Sequence, residues 1–319
     1  MRIGQNPAKF VNQVAQPRRI TAAVLTYIPF LSGFYAETLE VLKISLETLA
    51  QDPGLPCDLM VFDNGSCKEA QDYLLEQQRS GKIQYLVLSE QNLGKGGAWN
   101  VIFGGAPGEI IAYADSDILY SPGWLRESVR LLEAFPRVGM VTSRPFRTRE
   151  EYLSATLDWA RQAPEANLEE GVFIPWETYL EFNLSLGASE AEIRKSYEAT
   201  RDFRLTYRGL SALAGASHWQ FVANKSTLQQ FLPFSMDRPM GQVRQLDEGM
   251  NQAGFLRLMT TQPYVMNMSN TVPERFRQAT NLAARGRTGN LAQKFLDLPV
   301  IRPALLGLYD AIFRWYYAR

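Results

Sequence analysis

The sequence predicts an α/β protein: a mostly parallel central sheet with helices on both faces, a helical insertion and C-terminal helices. Three observations predict it. Short β-branched or apolar runs recur at 19–26, 57–63, 83–89, 109–115 and 138–143. Segments with apolar residues at helical spacing separate them. After Pro145 the alternation stops, and a charged, helix-like stretch intervenes before strand character returns. Strands joined by helical crossovers imply parallel pairing with both sheet faces covered.

The elements follow in order. The run RITAAVLT (19–26) is β-rich and reads as a buried strand. Over 37–49, Leu39, Leu42, Leu46 and Leu49 recur at helical spacing, and Asp52, Pro53, Gly54 and Pro56 end the helix. CDLMVFD (57–63) is the second strand and runs into the turn Asp63-Asn64-Gly65-Ser66. A helix at 68–81 leads to the third strand, IQYLVLS (83–89), and a short helix at 96–103 follows a glycine-rich turn. EIIAYAD (109–115) is the fourth strand, 122–135 a helix and VGMVTS (138–143) the fifth strand. The stretch 147–209, with Trp159, Trp176, Tyr179 and Tyr197, reads as a helical insertion. Strand character returns at 217–223, followed by helices at 225–231 and 244–254 and short strands at 256–260 and 263–268.

Composition excludes several classes. Lys+Arg and Asp+Glu are both 33, so the formal net charge is zero. A general nucleic-acid binder draws most of its affinity from phosphate neutralisation and carries a basic excess; no nucleic-acid partner is expected. The single histidine, His218, excludes a His-rich zinc site and leaves any Ser-His-Asp triad dependent on that one residue. Two cysteines, Cys57 and Cys67, fit reduced thiols in a cytoplasmic setting. Residues 1–19 lack an apolar leader segment. No window of ~20 residues is apolar enough to span a bilayer. The tail 303–319 (PALLGLYDAIFRWYYAR) is apolar and aromatic, and 271–319 holds eight Lys/Arg against three Asp/Glu. Two uses are open for it: packing on its own domain or a second copy in a homodimer, or peripheral contact with the cytoplasmic face of a membrane.

Chemistry concentrates at strand ends, where open α/β sheets bind ligands. In Tyr113-Ala114-Asp115-Ser116-Asp117 a strand delivers two carboxylates two positions apart. Like charges so placed repel unless a cation sits near them, and hard divalent ions favour carboxylate oxygens. A helix N-cap or turn is the alternative. Asn92-Leu93-Gly94-Lys95-Gly96-Gly97-Ala98-Trp99-Asn100 opens a helix whose free N–H groups suit an anion, with Lys95 adding positive charge; a plain glycine turn is the alternative. Asp63 is placed to accept from a base or ribose, or to form an Asx turn. In Leu246-Asp247-Glu248, Asp247 is an N-cap or a general base.

In this order the segments Asp63-Asn64-Gly65-Ser66, Asn92-x-Gly94-x-x-x-Ala98-x-Asn100 and Asp115-Ser116-Asp117 resemble the family 2 glycosyltransferases of the Rossmann-like GT-A fold. The likeness runs over about 19–143 and resumes over about 216–270. It implies a nucleotide-sugar donor, a divalent metal (Mn²⁺ or Mg²⁺) and transfer to an acceptor hydroxyl with inversion. A UDP-sugar is the favoured donor, with GDP- and dTDP-sugars as alternatives; the acceptor is a glycan, a lipid-linked sugar or a small molecule. By resemblance the donor contacts are Thr26, Asp63, Asn92, Gly94, Lys95, Asp115, Ser116 and Asp117. Asp63 would meet the base, Asp115 the ribose side, and Asp117 the metal on the diphosphate. The segment 246–254 resembles the helix bearing the catalytic base, with Asp247 preferred to Glu248.

Two departures stand out. The first strand ends in Thr26-Tyr27-Ile28-Pro29 where the family often has Thr-Tyr-Asn. Asn267 occupies the position that resembles a histidine metal ligand. His218, Trp219 and Gln220 are candidates for an acceptor hydroxyl or a phosphate, although a lone histidine beside a tryptophan also suits core packing. The implied organisation is a nucleotide-sugar-binding half (1–145), the helical insertion (146–210), an acceptor half (211–270) and a C-terminal helical extension (271–319). Two other functions compete: a non-catalytic GT-A-like domain that binds a nucleotide-sugar or a partner, and a sugar-phosphate nucleotidyltransferase.

Overall fold

A computed structural model describes residues 3–238 and 243–277. The chain divides into two compact units, 1–272 and 273–319. The second is described only over 273–277, where Glu274–Arg277 forms one helical turn. The helix expected at 303–319, and with it the membrane or dimer contact, lies outside the described residues.

The first unit builds on β1 (Ile20–Thr26), α1 (Thr38–Gln51), β2 (Asp58–Asp63), α2 (Lys68–Arg79), β3 (Tyr85–Leu88), α3 (Gly94–Gly105) and β4 (Ile110–Asp115). Then come β5 (Ile118–Tyr120), α4 (Trp124–Ala134), β6 (Val138–Thr142), α5 (Ser154–Gln162), β7 (Ala166–Gly171), α6 (Trp176–Ser185), α7 (Glu190–Ala199), β8 (Asp202–Tyr207) and β9 (Leu210–Ala214). The unit finishes with β10 (Gln220–Asn224), α8 (Lys225–Leu228), α9 (Val243–Gln252), β11 (Leu256–Met259) and β12 (Val265–Asn267).

Ten strands form one sheet in the order β3-β2-β1-β4-β10-β6-β11-β9-β8-β7. The β3-β2-β1-β4 half is parallel throughout, as is the β6/β11 pair. β10 runs antiparallel between β4 and β6, and β11, β9, β8 and β7 pair antiparallel in turn. The sheet is therefore parallel where the first half was expected to be, and mixed overall.

Alternation along the strands explains why both faces are covered. Ile20, Ala22 and Val24 of β1, with Ile110, Ala112 and Ala114 of β4, point into one core shared with Leu42 and Leu46 of α1 and Trp124 and Val129 of α4. Ala23, Ile111 and Tyr113 point the other way, onto Trp99 and Phe103 of α3 and Leu246 and Met250 of α9. Trp99 stacks on Phe103 at 5.4 Å between ring centroids and meets Tyr113 edge-on at 5.6 Å.

The segment 146–210 differs from the all-helical expectation. It contains α5, α6 and α7, the last opened by a capping box between Ser189 and Glu192. It also contains β7 and β8, which with β9 extend the main sheet. The charge density that suggested a solvated helix is in part a cross-strand pair: Glu169 faces Arg204, whose Nε and Nη2 donate to its carboxylate at 2.9 and 3.0 Å. A second small sheet, β12 on β5, was also not expected; it places Asn267 opposite Ile118.

Candidate functional site

Parallel register brings the ends of β1, β2 and β4 level: Thr26 pairs with Asp63, and Leu25 with Asp115. Asp63 is fully buried. Its Oδ2 accepts from the Ser66 amide at 3.2 Å and from Gln71 Nε2 at 3.0 Å, a turn closed one residue later than the expected Asx turn. Its Oδ1 is buried with no hydrogen-bond partner, as is the hydroxyl of Thr26 beside it. The exit of β1 is tied to the same turn, since the Ile28 amide donates to Ser66 Oγ at 2.9 Å.

The glycine-rich segment docks onto that turn. Asn64 accepts from the Leu93 amide at 2.8 Å and donates to Asn92 Oδ1 at 2.9 Å; Asn92 Oδ1 also accepts from the Gly94 amide at 2.8 Å. Asn92 thus builds the loop. Close approach requires Gly65: its φ is +86°, and a Cβ there would meet Gln91 C at 3.0 Å and Asn92 N at 3.1 Å. Gly94, also at positive φ (68°), opens α3.

Lys95, expected among the donor contacts, pairs with Asp115: Nζ lies 2.8 Å from Oδ2. Tyr113 OH donates to the other oxygen of Asp115 at 2.7 Å. Asp115 is thereby held rigid at the end of β4. Ser116 sits half-buried in the turn between β4 and β5.

Asp117 is different. Its Oδ1 is buried and has no partner. Burial, with the Asp115 carboxylate adding to it and Lys95 opposing, pushes its carboxyl from 3.8 up to about 7. β12 lies alongside, and the Met268 amide donates to the Asp117 carbonyl at 2.8 Å. Asn267, expected as a metal ligand, is the residue before Met268, and its Oδ1 already accepts from the Ser269 amide at 2.7 Å. Among the described residues no three His, Cys, Asp or Glu side chains cluster as a metal cage. An ion here fits as one held by few protein oxygens and completed by what it binds.

On the other side of β4, the turn before β10 carries His218. The Asp115 amide donates to the Trp219 carbonyl at 2.9 Å, so this turn is fixed to the end of β4. His218 Nδ1 lies 3.1 Å from Asp247 Oδ2. Asp247 Oδ1 accepts from Arg257 Nη2 at 2.5 Å. Burial lowers the Arg257 guanidinium from its usual value, and Asp247 opposes that. Arg257 follows a register shift in β11, the kind of irregularity that re-aims a side chain.

The remaining expectations divide. Glu248 is exposed while its neighbour Asp247 is buried. Gln220 does not reach a ligand: it is fully buried and spans β10 to β6, accepting from the Ser143 amide at 2.8 Å and donating to Ser143 Oγ at 3.0 Å. Trp219 packs against Phe146 and Phe182. The sequence reading missed Asn64, Tyr113 and Arg257. An arginine between the apolar neighbours Leu256, Leu258 and Met259 was a signal, because a cation in a buried strand needs a partner.

Residues 33–183 match the family described as Glycosyl transferase family 2. An uncharacterized glycosyltransferase of Nostoc sp. is 27% identical over 84 residues, which are 26% of this chain and 26% of that protein. The mannosyltransferase PcManGT from Pyrobaculum calidifontis, in complex with GDP-Man and Mn²⁺, is similar over 83% of this chain and 60% of its own, at 17% identity and TM-score 0.47. TarS 1–349 of S. aureus is similar over 82% of this chain and 63% of its own, at 13% identity and TM-score 0.46. The chain spans about a quarter of that curated relative and less than two thirds of either structure. Through residues 33–183, a little under half of its length, the chain is similar to glycosyl transferase family 2.

Proposed function

We propose that this protein transfers a sugar from a nucleotide-sugar, with a UDP-sugar favoured, to an acceptor hydroxyl with inversion at the anomeric carbon. One observation carries the reading. Thr26 Oγ1, Asp63 Oδ1 and Asp117 Oδ1 are all buried without partners, and all lie at or just beyond the ends of adjacent parallel strands. Buried polar atoms are nearly always satisfied, and orphans gathered at a ligand-binding edge point to a polar ligand.

In this reading Asp63 accepts from the nucleotide base with its free oxygen. Asp115, oriented by Lys95 and Tyr113, faces the ribose. The opening turn of α3 offers amide donors to the diphosphate. Asp117, with Asn267 nearby, is the residue to hold Mn²⁺ or Mg²⁺. When bound, such an ion neutralises negative charge on the diphosphate. Gln220 has no part in it. Inversion follows from a single displacement.

Proton NMR of the protein with Mn²⁺ and UDP-, GDP- or dTDP-hexoses tests this, with water as the acceptor. The expected result is release of nucleoside diphosphate from one donor class, with a first-formed sugar of opposite anomeric configuration. Retained configuration contradicts inversion, and no release from any donor contradicts transfer.

A further inference from the structure

Asp247 is poorly placed to take a proton itself. Both of its oxygens are committed, Oδ1 to Arg257 and Oδ2 to His218, and its side chain is 11% exposed. Protonating it would remove the counter-charge of a guanidinium that is itself 1% exposed. His218 is the member of the group that reaches solvent, with a third of its side chain exposed.

The arrangement also fixes the imidazole. Asp247, as the partner of Arg257, is a carboxylate and only accepts, so His218 Nδ1–H is the donor and Nε2 is left with a free lone pair. Arg257 holds both ends: Nη2 donates to Asp247 and, at 2.7 Å, to the Ala216 carbonyl two residues before His218, while Nη1 donates to the Tyr152 carbonyl at 3.0 Å. A carboxylate that orients an imidazole through Nδ1 leaves Nε2 as a base of defined direction. The turn carrying the ring is bonded to the end of β4 through the Trp219 carbonyl and Asp115 amide.

We propose that His218 is the general base of the transfer, with Asp247 and Arg257 as positioning residues. This rests on the glycosyl-transfer reading above. As the acceptor oxygen forms its bond to the anomeric carbon, His218 Nε2 takes the hydroxyl proton. The bond from that carbon to the diphosphate oxygen breaks, and its electron pair leaves with the nucleoside diphosphate. The imidazolium returns its proton to solvent.

The test uses the full chain with Mn²⁺ and the donor panel, reading nucleoside diphosphate release with water as acceptor. His218→Ala and His218→Gln should each lower turnover by about two to four orders of magnitude, the range for a lost general base. Binding of UDP and the melting temperature should stay near wild type. Added imidazole should restore turnover to His218→Ala, which a purely structural histidine would not allow. Asp247→Asn should lose turnover without imidazole recovery. Wild-type turnover in either His218 variant overturns the proposal, as does a loss in His218→Ala that imidazole leaves unchanged. A wild type that cleaves no donor overturns the transfer reading itself.

Discussion

Arg257 and Asp247 form a buried ion pair, Nη2 to Oδ1 at 2.5 Å, with the arginine side chain 1% and the aspartate side chain 11% exposed. Removing one partner of such a pair strands the other charge. Asp247→Asn and Arg257→Met should each cost about 3–5 kcal/mol by urea denaturation. The double variant should cost less than the sum of the two, because neither charge is then left alone. Strict additivity would show that the two charges are not coupled.

Asp117 yields a pH-dependent prediction. Its carboxyl is raised from 3.8 to about 7, so the folded protein keeps a proton that the unfolded chain gives up. Stability from this site is present below about pH 4 and is lost as pH rises through 7. Without metal, Asp117→Asn should therefore raise the melting temperature relative to wild type at pH 8, and by clearly less at pH 5. An equal difference at both values would show that Asp117 is not a strained carboxylate in the free protein.

Gly65 ties the turn after β2 to the glycine-rich segment. Gly65→Ala places a Cβ 3.0 Å from Gln91 C at a φ of +86°. The left-handed conformation alone costs roughly 1–2 kcal/mol for a residue with a side chain. The variant should lose at least that stability in thermal or urea melts, and its affinity for UDP should fall with the displaced Asn92. Unchanged melting and binding would contradict the close approach.

The parallel half was legible because β1, β2 and β4 are short, mostly apolar runs, and such runs suit strands buried on both faces. The placement of Asp63, Asp115 and Asp117 followed from that. The β7–β8 extension was not legible, because its strands are largely half-exposed and charged, and Glu169 and Arg204 carry no sign that they face each other across a ladder. The partners of Lys95 and Gln220 were not legible for a related reason. Both side chains are polar and sit near the site, but their partners Asp115 and Ser143 are set by tertiary packing. Asp247 was found by motif; its dependence on Arg257 was not, since sequence spacing does not show that α9 and β11 bring the two together.

The central claim is that the strand-end carboxylates form a nucleotide and metal site, and calorimetric titration of UDP, GDP and dTDP with and without Mn²⁺ tests it most directly. One nucleoside diphosphate should bind the wild type with Mn²⁺ present and weakly without it. Mn²⁺ alone should bind weakly, because Asp117 and Asn267 supply few ligand atoms. At about 100 times its dissociation constant, the nucleotide should stabilise the fold by about 2.7 kcal/mol. Asp117→Asn should abolish the Mn²⁺ dependence, and Asp63→Asn should weaken nucleotide binding whether or not metal is present. No binding of any nucleotide, or binding in Asp117→Asn with the wild-type Mn²⁺ dependence, would contradict the account.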